Sequence, residues 1–261
     1  MSPLSIVITI VVFVLILMLL RYIFSDPYTL QYVQDGKKSS TIEASSLATN
    51  GTNTPSSNFA YSVWFYVNNW NYRYGDSKVI FGRMGALSAD GKGAVPGING
   101  SDPCPAVVLG AVENNISISL GCYPGANQQP SPPSGNTVVH TCSVANVPIQ
   151  KWVNLVVSVY GRSMDVYIDG KLVRTCLLPG VASVNNNSNI YVTPQGGFEG
   201  WTSKLQYFPD SLNPQEVWNN YIKGYSDWSN MFYSNWFSMF NSYQVEVSLV
   251  ENGITQSSIK I

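Results

Sequence analysis

An uncharged run near the start of the chain places the strongest constraint on the fold. It extends from Leu4 to Leu20 and reads LSIVITIVVFVLILMLL. Continued to Phe24 it supplies 21 residues, and at about 1.5 Å per residue a helix of that length crosses the hydrocarbon core of a bilayer. No Lys or Arg precedes the run and no small-x-small cleavage site follows it, which favours a retained anchor over a cleaved signal peptide. We therefore predict one transmembrane helix within residues 1–24.

The basic residues near this run indicate an orientation. Arg21, Lys37 and Lys38 all follow the apolar run. Because cytoplasmic flanks carry an excess of Lys and Arg, the larger C-terminal part is expected on the cytoplasmic side of the membrane.

Charge excludes one class of partner. The chain has 261 residues, of which 45% are hydrophobic and only 11% are charged, with 14 Lys and Arg against 15 Asp and Glu. No window clusters enough cations to neutralise a row of phosphates, so no nucleic-acid partner is expected. The low charge implies a surface wetted by Asn, Ser, Thr, Gln and Tyr, which suits close packing against neighbouring proteins.

Residues 25–57 are polar and rich in Ser, Thr, Asn and Gly. This composition is typical of a linker between the anchor and the domain that follows. Within it, residues 29–33 and 41–47 have enough apolar character to form short strands that dock on that domain. Both interpretations remain open at this point.

Short apolar or alternating runs follow, separated by Gly, Pro and Asn clusters, as in an all-β domain. We predict strands over residues 59–67, 78–84, 106–112, 116–122, 137–144, 152–161, 164–170, 171–178, 189–193 and 201–209. Three tight turns join neighbouring strands: Glu113-Asn114-Asn115, Gly161-Arg162-Ser163 and Asp169-Gly170. The pattern predicts an antiparallel β-sandwich over residues 58–224.

Several motifs in this region, taken in order, resemble the concanavalin A-like lectin/glucanase family and its laminin-G-like members. The most telling stretches are WVNLVVSVYGRSMDVYIDGKL from Trp152, FEGW from Phe198 and LNPQEVW from Leu212. The resemblance implies a jelly roll of two curved antiparallel sheets, closed by a strand and a short helix. It also implies that function resides on the concave sheet and on the loops at one edge. The resemblance specifies the fold rather than the function, because a sandwich hosts many activities.

No catalytic constellation is apparent. Glucanases of the family carry a Glu-x-Asp-x-Glu strand, which supplies the two carboxyl groups that a retaining mechanism requires, and this chain has no such triplet. Of the nearest strand pair, Asp165 and Asp169, the second belongs to a turn. His140 is the single histidine, and its strand setting favours a packed or edge position. We expect no enzyme activity, no cofactor and no metal site, although Asp76, Asp90 and Asp102 lie in loops of the kind that bind calcium in some relatives.

Two features could contact a ligand. The NWNYRYG segment presents Trp70, Tyr72 and Tyr74, which could form an aromatic platform for a sugar or could pack as a corner on the sandwich. Two long Gly/Pro-rich loops, over residues 85–103 and 123–136, are either contact surfaces or tolerated insertions.

The chain contains four cysteines: Cys104, Cys122, Cys142 and Cys176. A hairpin centred near residue 114 would place Cys104 and Cys122 within one step of ladder register, which favours a bridge between them. Cys142 and Cys176 would then form the second bridge by elimination. The alternative is four reduced, buried thiols, because bridges require an oxidising compartment.

Residues 225–261 depart from the resemblance. An aromatic stripe at helical spacing could pack on the sandwich or dock on a bilayer or a neighbouring protein; its members are Trp228, Phe232, Trp236, Phe240 and Tyr243. The last residues alternate around Asn252-Gly253, which predicts a hairpin that adds to a sheet of this chain or of another.

The leading functional hypothesis is a non-enzymatic, single-pass membrane protein with a structural or interaction role. Anchored laminin-G-like sandwiches with neutral surfaces resemble virion proteins of large double-stranded DNA viruses. That resemblance implies a minor capsid protein that links the shell to an internal membrane, with the bilayer and capsid proteins as partners. The alternative is a membrane-displayed lectin or adhesin that binds glycans.

Overall fold

The structure of the chain is a computed structural model, which describes residues 3–24, 26–47, 57–84, 102–130, 136–226, 246–251 and 254–260. It divides into two units, residues 25–225 and residues 1–24 with 226–261. We describe each unit by itself.

Two antiparallel sheets form the larger unit. Sheet A has the order β1-β13-β4-β9-β10-β11, with β2 also paired to β13. Its strands are β1 (Thr29–Gln31), β2 (Gln34–Asp35), β4 (Phe59–Asn69), β9 (Trp152–Tyr160), β10 (Ser163–Ile168), β11 (Lys171–Leu177) and β13 (Glu199–Phe208). Sheet B has the order β3-β12-β5-β6-β7-β8. Its strands are β3 (Ser40–Ile42), β5 (Lys78–Arg83), β6 (Ala106–Leu109), β7 (Ile116–Cys122), β8 (Val138–Val144) and β12 (Ile190–Val192). The predicted antiparallel sandwich is thus confirmed.

The core lies between the sheets, because one side of each alternating strand is apolar. On β4 the residues that face it are Phe59, Tyr61, Val63, Phe65 and Val67, all of them buried. Val153, Leu155, Val157 and Val159 of β9 join the same cluster. The intervening residues of β4 and β9 therefore lie on the opposite face of sheet A.

Turn chemistry positions the strands of sheet A. Asp169 and Gly170 both have positive φ angles, 49° and 74°, and they join β10 to β11 in the predicted two-residue turn. A Cβ atom at Gly170 would also lie 2.9 Å from the Trp218 ring. Both the positive φ angle and the lack of space for a side chain therefore favour glycine at this position. The turn between β9 and β10 consists of Gly161 and Arg162, because Ser163, which was predicted as its third residue, already pairs with Tyr160. In sheet B the link from Leu109 to Ile116 is longer than the predicted three-residue turn.

Residues 26–47 contain three of these strands. Thr29–Gln31 and Gln34–Asp35 pair with β13, and Ser40–Ile42 pairs with β12. Of the two interpretations of residues 25–57, docking strands are therefore observed, at 29–31, 34–35 and 40–42, whereas residues 44–46 of the second predicted strand form a 3-10 helix. The physical reason is that β12 and β13 would otherwise expose unpaired backbone edges.

The smaller unit contains helix α1 (Pro3–Phe24) and a hairpin of β14 (Glu246–Glu251) and β15 (Ile254–Lys260). Among the helices in the described parts of the chain, none meets both the length and the hydropathy of a membrane span. The transmembrane anchor stays a prediction. The hairpin around residues 252–253 is confirmed, and its two strands form a sheet of their own. The aromatic stripe from Trp228 to Tyr243 and the loop residues 85–101 and 131–135 lie outside the described residues.

Candidate functional site

Four aromatic rings form a continuous group on the outer face of sheet A. Trp201, Tyr66 and Trp152 lie opposite one another on β13, β4 and β9. Their ring centroids are 5.6 Å apart for Tyr66 and Trp201 and 5.8 Å apart for Tyr66 and Trp152. Tyr225 stacks on Trp152 at 4.5 Å, with the ring planes 9° apart. We call Tyr66, Trp152, Trp201 and Tyr225 the aromatic surface; Trp201 and Tyr225 are exposed, by 43% and 40%.

A second layer of rings supports the aromatic surface. Trp64, two residues before Tyr66 on the same face of β4, is only 6% exposed. It stacks on Tyr221 with centroids 5.5 Å apart, and its centroid lies 6.1 Å from that of Tyr225. Aromatic pairs at these distances stabilise each other beyond the area they bury. The exposed rings are therefore held in place before any ligand arrives.

Helix α2 (Pro214–Tyr221) delivers Tyr221 to this face. Asn213 and Glu216 form a capping box: the Asn213 side chain accepts from the Glu216 N–H, and the Asn213 N–H donates to the Glu216 carboxylate. Val217 of the helix packs on Val156 and Tyr167 of sheet A. The cap and this apolar contact together set where the helix begins and which side faces the sheet.

A buried polar network also fixes α2 on the sheet. The Asn220 amide donates to Ser62 Oγ at 3.0 Å and to Gln206 Oε1 at 2.9 Å. Asn154 donates to the same Ser62 oxygen at 3.2 Å, and Gln206 donates to Asp26 at 2.7 Å. Because burying an unpaired amide is costly, these bonds specify one position for the helix.

Hydrogen-bonding groups border the aromatic surface beside Trp201. Asp35 pairs with Trp201 across β2 and β13. The Glu199 carboxylate accepts from Asn68 Nδ2 at 3.3 Å and forms an ion pair with Lys37 at 3.3 Å. Exposed rings next to carboxylate and amide groups can bind a ligand that has both an apolar face and hydroxyl or amide groups.

The three aromatic residues singled out in NWNYRYG do not form a platform. Trp70 packs against the core and its Nε1 donates to the Val112 carbonyl at 3.0 Å. The Tyr72 hydroxyl donates to the Gly196 carbonyl at 3.2 Å, and Tyr74 is exposed. The physical reason is that residues 70–76 form turns, in which successive side chains point in different directions. The corner interpretation describes them.

The acidic residues considered for catalysis or calcium binding are separately engaged. Asp165 accepts from Thr175 Oγ1 at 2.6 Å, and Asp169 accepts from the Asn154 N–H and from Lys151. Asp76 pairs with Arg73, and Asp102 accepts from Thr137; Asp90 lies outside the described residues. No group of three or more potential metal ligands occurs in the described parts of the chain. His140 is half-buried on the edge strand β8.

One of the two expected disulfide bridges is present. Cys142 of β8 is bonded to Cys176 of β11, which joins the edge strands of the two sheets. Cys104 and Cys122 are free and buried, so the bridge expected between them is absent. The paired part of β6 begins at Ala106, and beyond it the Gly121 N–H donates to the Pro103 carbonyl at 2.7 Å, so Cys104 lies outside the ladder that the prediction assumed. Burial raises the pKa of the Cys104 thiol to about 12 and that of Cys122 to about 11, which makes both poor nucleophiles.

A buried guanidinium was not anticipated from the sequence. Arg83 donates to the carbonyls of Ser188 and Asn185 at 3.2 and 3.3 Å and lies 5.8 Å from the centroid of the Tyr207 ring. Burial raises the pKa of Tyr61, which lies close to Arg83. These contacts fix the loop before β12, so we assign Arg83 a structural role.

Comparison with known families agrees with this architecture. The family model described as the concanavalin A-like lectin/glucanases superfamily, of laminin G type, matches residues 39–218, more than half of the chain. The chain belongs to this superfamily. As in the resemblance drawn from the sequence, membership concerns the fold and leaves the ligand open.

Solved structures similar to this superfamily member include botulinum neurotoxin domains. The receptor binding domain of botulinum neurotoxin D is 13% identical, with a TM-score of 0.49, and the match covers 74% of this chain and 43% of that one. The binding domain of botulinum neurotoxin DC in complex with rat synaptotagmin II is 12% identical, with a TM-score of 0.48, over 74% and 42%. This chain thus spans less than half the length of either. A search of curated proteins found no match.

Sequence reasoning missed every residue of the aromatic surface. Tyr66, Trp152 and Trp201 belong to predicted strands, where they read as ordinary β-forming residues. The available signal was alternation: the neighbours of Tyr66 on β4, Phe65 and Val67, face the core, so Tyr66 must face outward.

Proposed function

We propose that this protein is a non-enzymatic, single-pass membrane protein whose sandwich holds neighbouring proteins in an assembly. A minor capsid protein that links a virion shell to an internal membrane is the specific form of the proposal. The observation that carries it is the run of exposed apolar side chains from Val11 to Leu19 on α1, next in the chain to a folded binding domain.

Exposed apolar area supports the membrane part. Each described side chain between Val11 and Leu19 is aliphatic, aromatic or Met, and their exposed fractions run from 42% at Val14 to 60% at Phe13. Leaving such a continuous surface in water is unfavourable, at about 25 cal/mol per Å². Lipid removes that cost, and a 22-residue helix satisfies its own backbone groups inside a bilayer.

The state of the carboxylates supports a non-enzymatic role. Asp165, Asp169 and Glu199 each accept hydrogen bonds from neighbouring side chains or the backbone. Groups held in this way stabilise strands and turns. The rigid aromatic surface supports binding instead, because Trp and Tyr contribute large contact areas at a low cost in side-chain entropy.

Extraction of the full-length protein from native particles or membranes tests the proposal. We expect the protein to remain bound through a high-salt wash and to be released by detergent. A Leu15→Arg/Leu17→Arg variant should shift to the soluble fraction, whereas the control variant Ile222→Arg, at an exposed position of the sandwich, should stay bound. Release of the wild-type protein by salt alone would contradict the anchor.

A lectin function is the second candidate, and the position of Trp201 favours it. This ring is exposed beside Asp35, Glu199 and Asn68, and sugars present apolar faces and hydroxyl groups to such surroundings. A glycan array probed with the full-length protein in detergent should then show saccharide binding that Trp201→Ala abolishes and Tyr74→Ala preserves. Binding that depends on the exposed Tyr74 instead would return the site to the NWNYRYG segment.

A further inference from the structure

One side of the sandwich presents an open strand edge. Sheet A ends at β11, and in the described parts of the chain the far edge of this strand pairs with no other strand. Leu172, Val173 and Leu177 of β11 are exposed by 52%, 46% and 74%. An exposed apolar edge strand is a template for pairing with another extended segment.

A groove runs beside this edge. It has a volume of about 370 Å³ and lies where the end of β8 and the residues after it approach β10 and β11. We call it the edge groove; it is lined by residues 143–148 together with Ile168, Val173 and Arg174. The Cys142–Cys176 bridge joins the same two strands, β8 and β11, with the Cα atoms of the two cysteines 6.2 Å apart.

The walls of the edge groove are fixed, and its lining is partly apolar. The Val147 N–H donates to the Asn114 carbonyl at 2.8 Å, and Asn114 Nδ2 donates to the Val147 carbonyl at 3.2 Å. Arg174 donates to the Ser143 carbonyl across the groove. Val144, Val147 and Ile168 belong to the core or pack directly against it. An apolar side chain that enters the groove would thus pack against the existing core, and the groove walls would lose little conformational entropy on binding.

The charges at this edge select among possible occupants. Lys171 and Arg174 lie on β11, which has no acidic residue, and no carboxylate forms an ion pair with either in the described parts of the chain. Pairing of β11 with β11 of a second copy would bring these cations toward one another, which is unfavourable. A partner strand with acidic residues would place opposite charges across the edge.

We infer that β11 and the edge groove bind an extended segment of a neighbouring protein, one that combines acidic and apolar residues, by strand addition. The inference rests on the proposed role of the sandwich as a binding domain and names the surface and the partner chemistry. Main-chain hydrogen bonds to the edge would supply affinity, and the groove and the two cations would supply selectivity.

Peptide binding to the full-length protein in detergent micelles tests this inference. The probe is a fluorescent ten-residue peptide of alternating Glu and Val, compared with its Lys and Val counterpart. We expect the acidic peptide to bind at least tenfold more tightly by fluorescence anisotropy, and its binding to slow amide hydrogen exchange over residues 171–177. Equal affinities, or no change in exchange at β11, would overturn the inference.

Charge reversal identifies the surface. Arg174→Glu and Lys171→Glu should each weaken binding of the acidic peptide at least fivefold, and Lys223→Glu, on the turn after α2, should leave it unchanged. Because Arg174 also contacts Ser143, Lys171→Glu guards against a loss of folding. Unchanged affinity in both β11 variants would refute the site. Membrane extraction of the same proteins reports separately on the anchor, so failure of one proposal leaves the other measurable.

Discussion

Two groups of aromatic residues in this sandwich differ in how they are assembled. Trp70, Tyr72 and Tyr74 lie within five positions of one another. Yet Trp70 packs against the core, Tyr72 donates to the Gly196 carbonyl and Tyr74 is exposed to solvent. Tyr66, Trp152, Trp201 and Tyr225 are spread over 160 positions, yet their rings form one surface. Residues on adjacent antiparallel strands meet because of register, whereas residues in a turn diverge.

The comparison shows that proximity in sequence is a poor guide to a binding surface on a sandwich. The turn residues use their polar groups in hydrogen bonds to backbone carbonyls of distant segments, from Trp70 to Val112 and from Tyr72 to Gly196. The aromatic surface rests on Trp64 and on a hydrogen-bonded helix, so its outer rings are free to contact a ligand. Mutations that remove the hydrogen bonds of the turn residues should therefore mainly lower stability, whereas mutations at the outer rings of the aromatic surface should mainly weaken binding.

The largest difference in the free energy of unfolding is expected between Trp64, at the buried base of the aromatic surface, and the exposed Tyr74 of the turn. Trp64→Ala should lower the free energy of unfolding by about 3–5 kcal/mol, because it leaves a cavity beside the Tyr221 and Tyr225 rings. Tyr74→Ala, in the exposed part of the turn, should change it by less than about 0.5 kcal/mol. Urea unfolding of the full-length proteins in detergent measures both. Equal costs would show that the two groups are not differently supported.

An intermediate difference in the free energy of unfolding is expected between variants that remove the hydrogen bonds of Asn220 and that of Tyr72. Asn220→Ala removes the donor to Ser62 and Gln206 and should cost about 1–3 kcal/mol, because both acceptors are buried. Tyr72→Phe removes one partly exposed bond to Gly196 and should cost about 1 kcal/mol or less. A larger loss for Tyr72→Phe than for Asn220→Ala would contradict the importance of the network under α2.

The smallest change in stability is expected at the exposed end of the aromatic surface. Trp201→Phe should alter the free energy of unfolding by less than about 1 kcal/mol, because an exposed ring retains its packing on Tyr66. Trp70→Phe should cost more, since it removes the bond to Val112 next to the core. Thermal unfolding of the two variants tests this order, and the reverse order would make Trp201 a structural residue.

Most of the sandwich could be predicted, and the reasons are local. The turn at Asp169-Gly170 was predictable because few residues adopt two successive positive φ angles. Strand β7 was predicted at its observed bounds, Ile116–Cys122, from its alternating pattern. The Cys104–Cys122 bridge was wrong, because both thiols are free and the ladder between β6 and β7 begins at Ala106, two residues after Cys104. The aromatic surface and the edge groove depend on strand order, which no local pattern specifies.

By itself the sequence determined the alternation of the strands, the places where they turn and the apolar run at its start, because these depend on neighbouring residues and on backbone conformations that few side chains allow. The tertiary structure alone decided that Trp201 meets Tyr66, that Cys142 bonds to Cys176 and that β11 is left at an edge. Such contacts join distant positions, and their geometry follows from how whole strands pair across the two sheets.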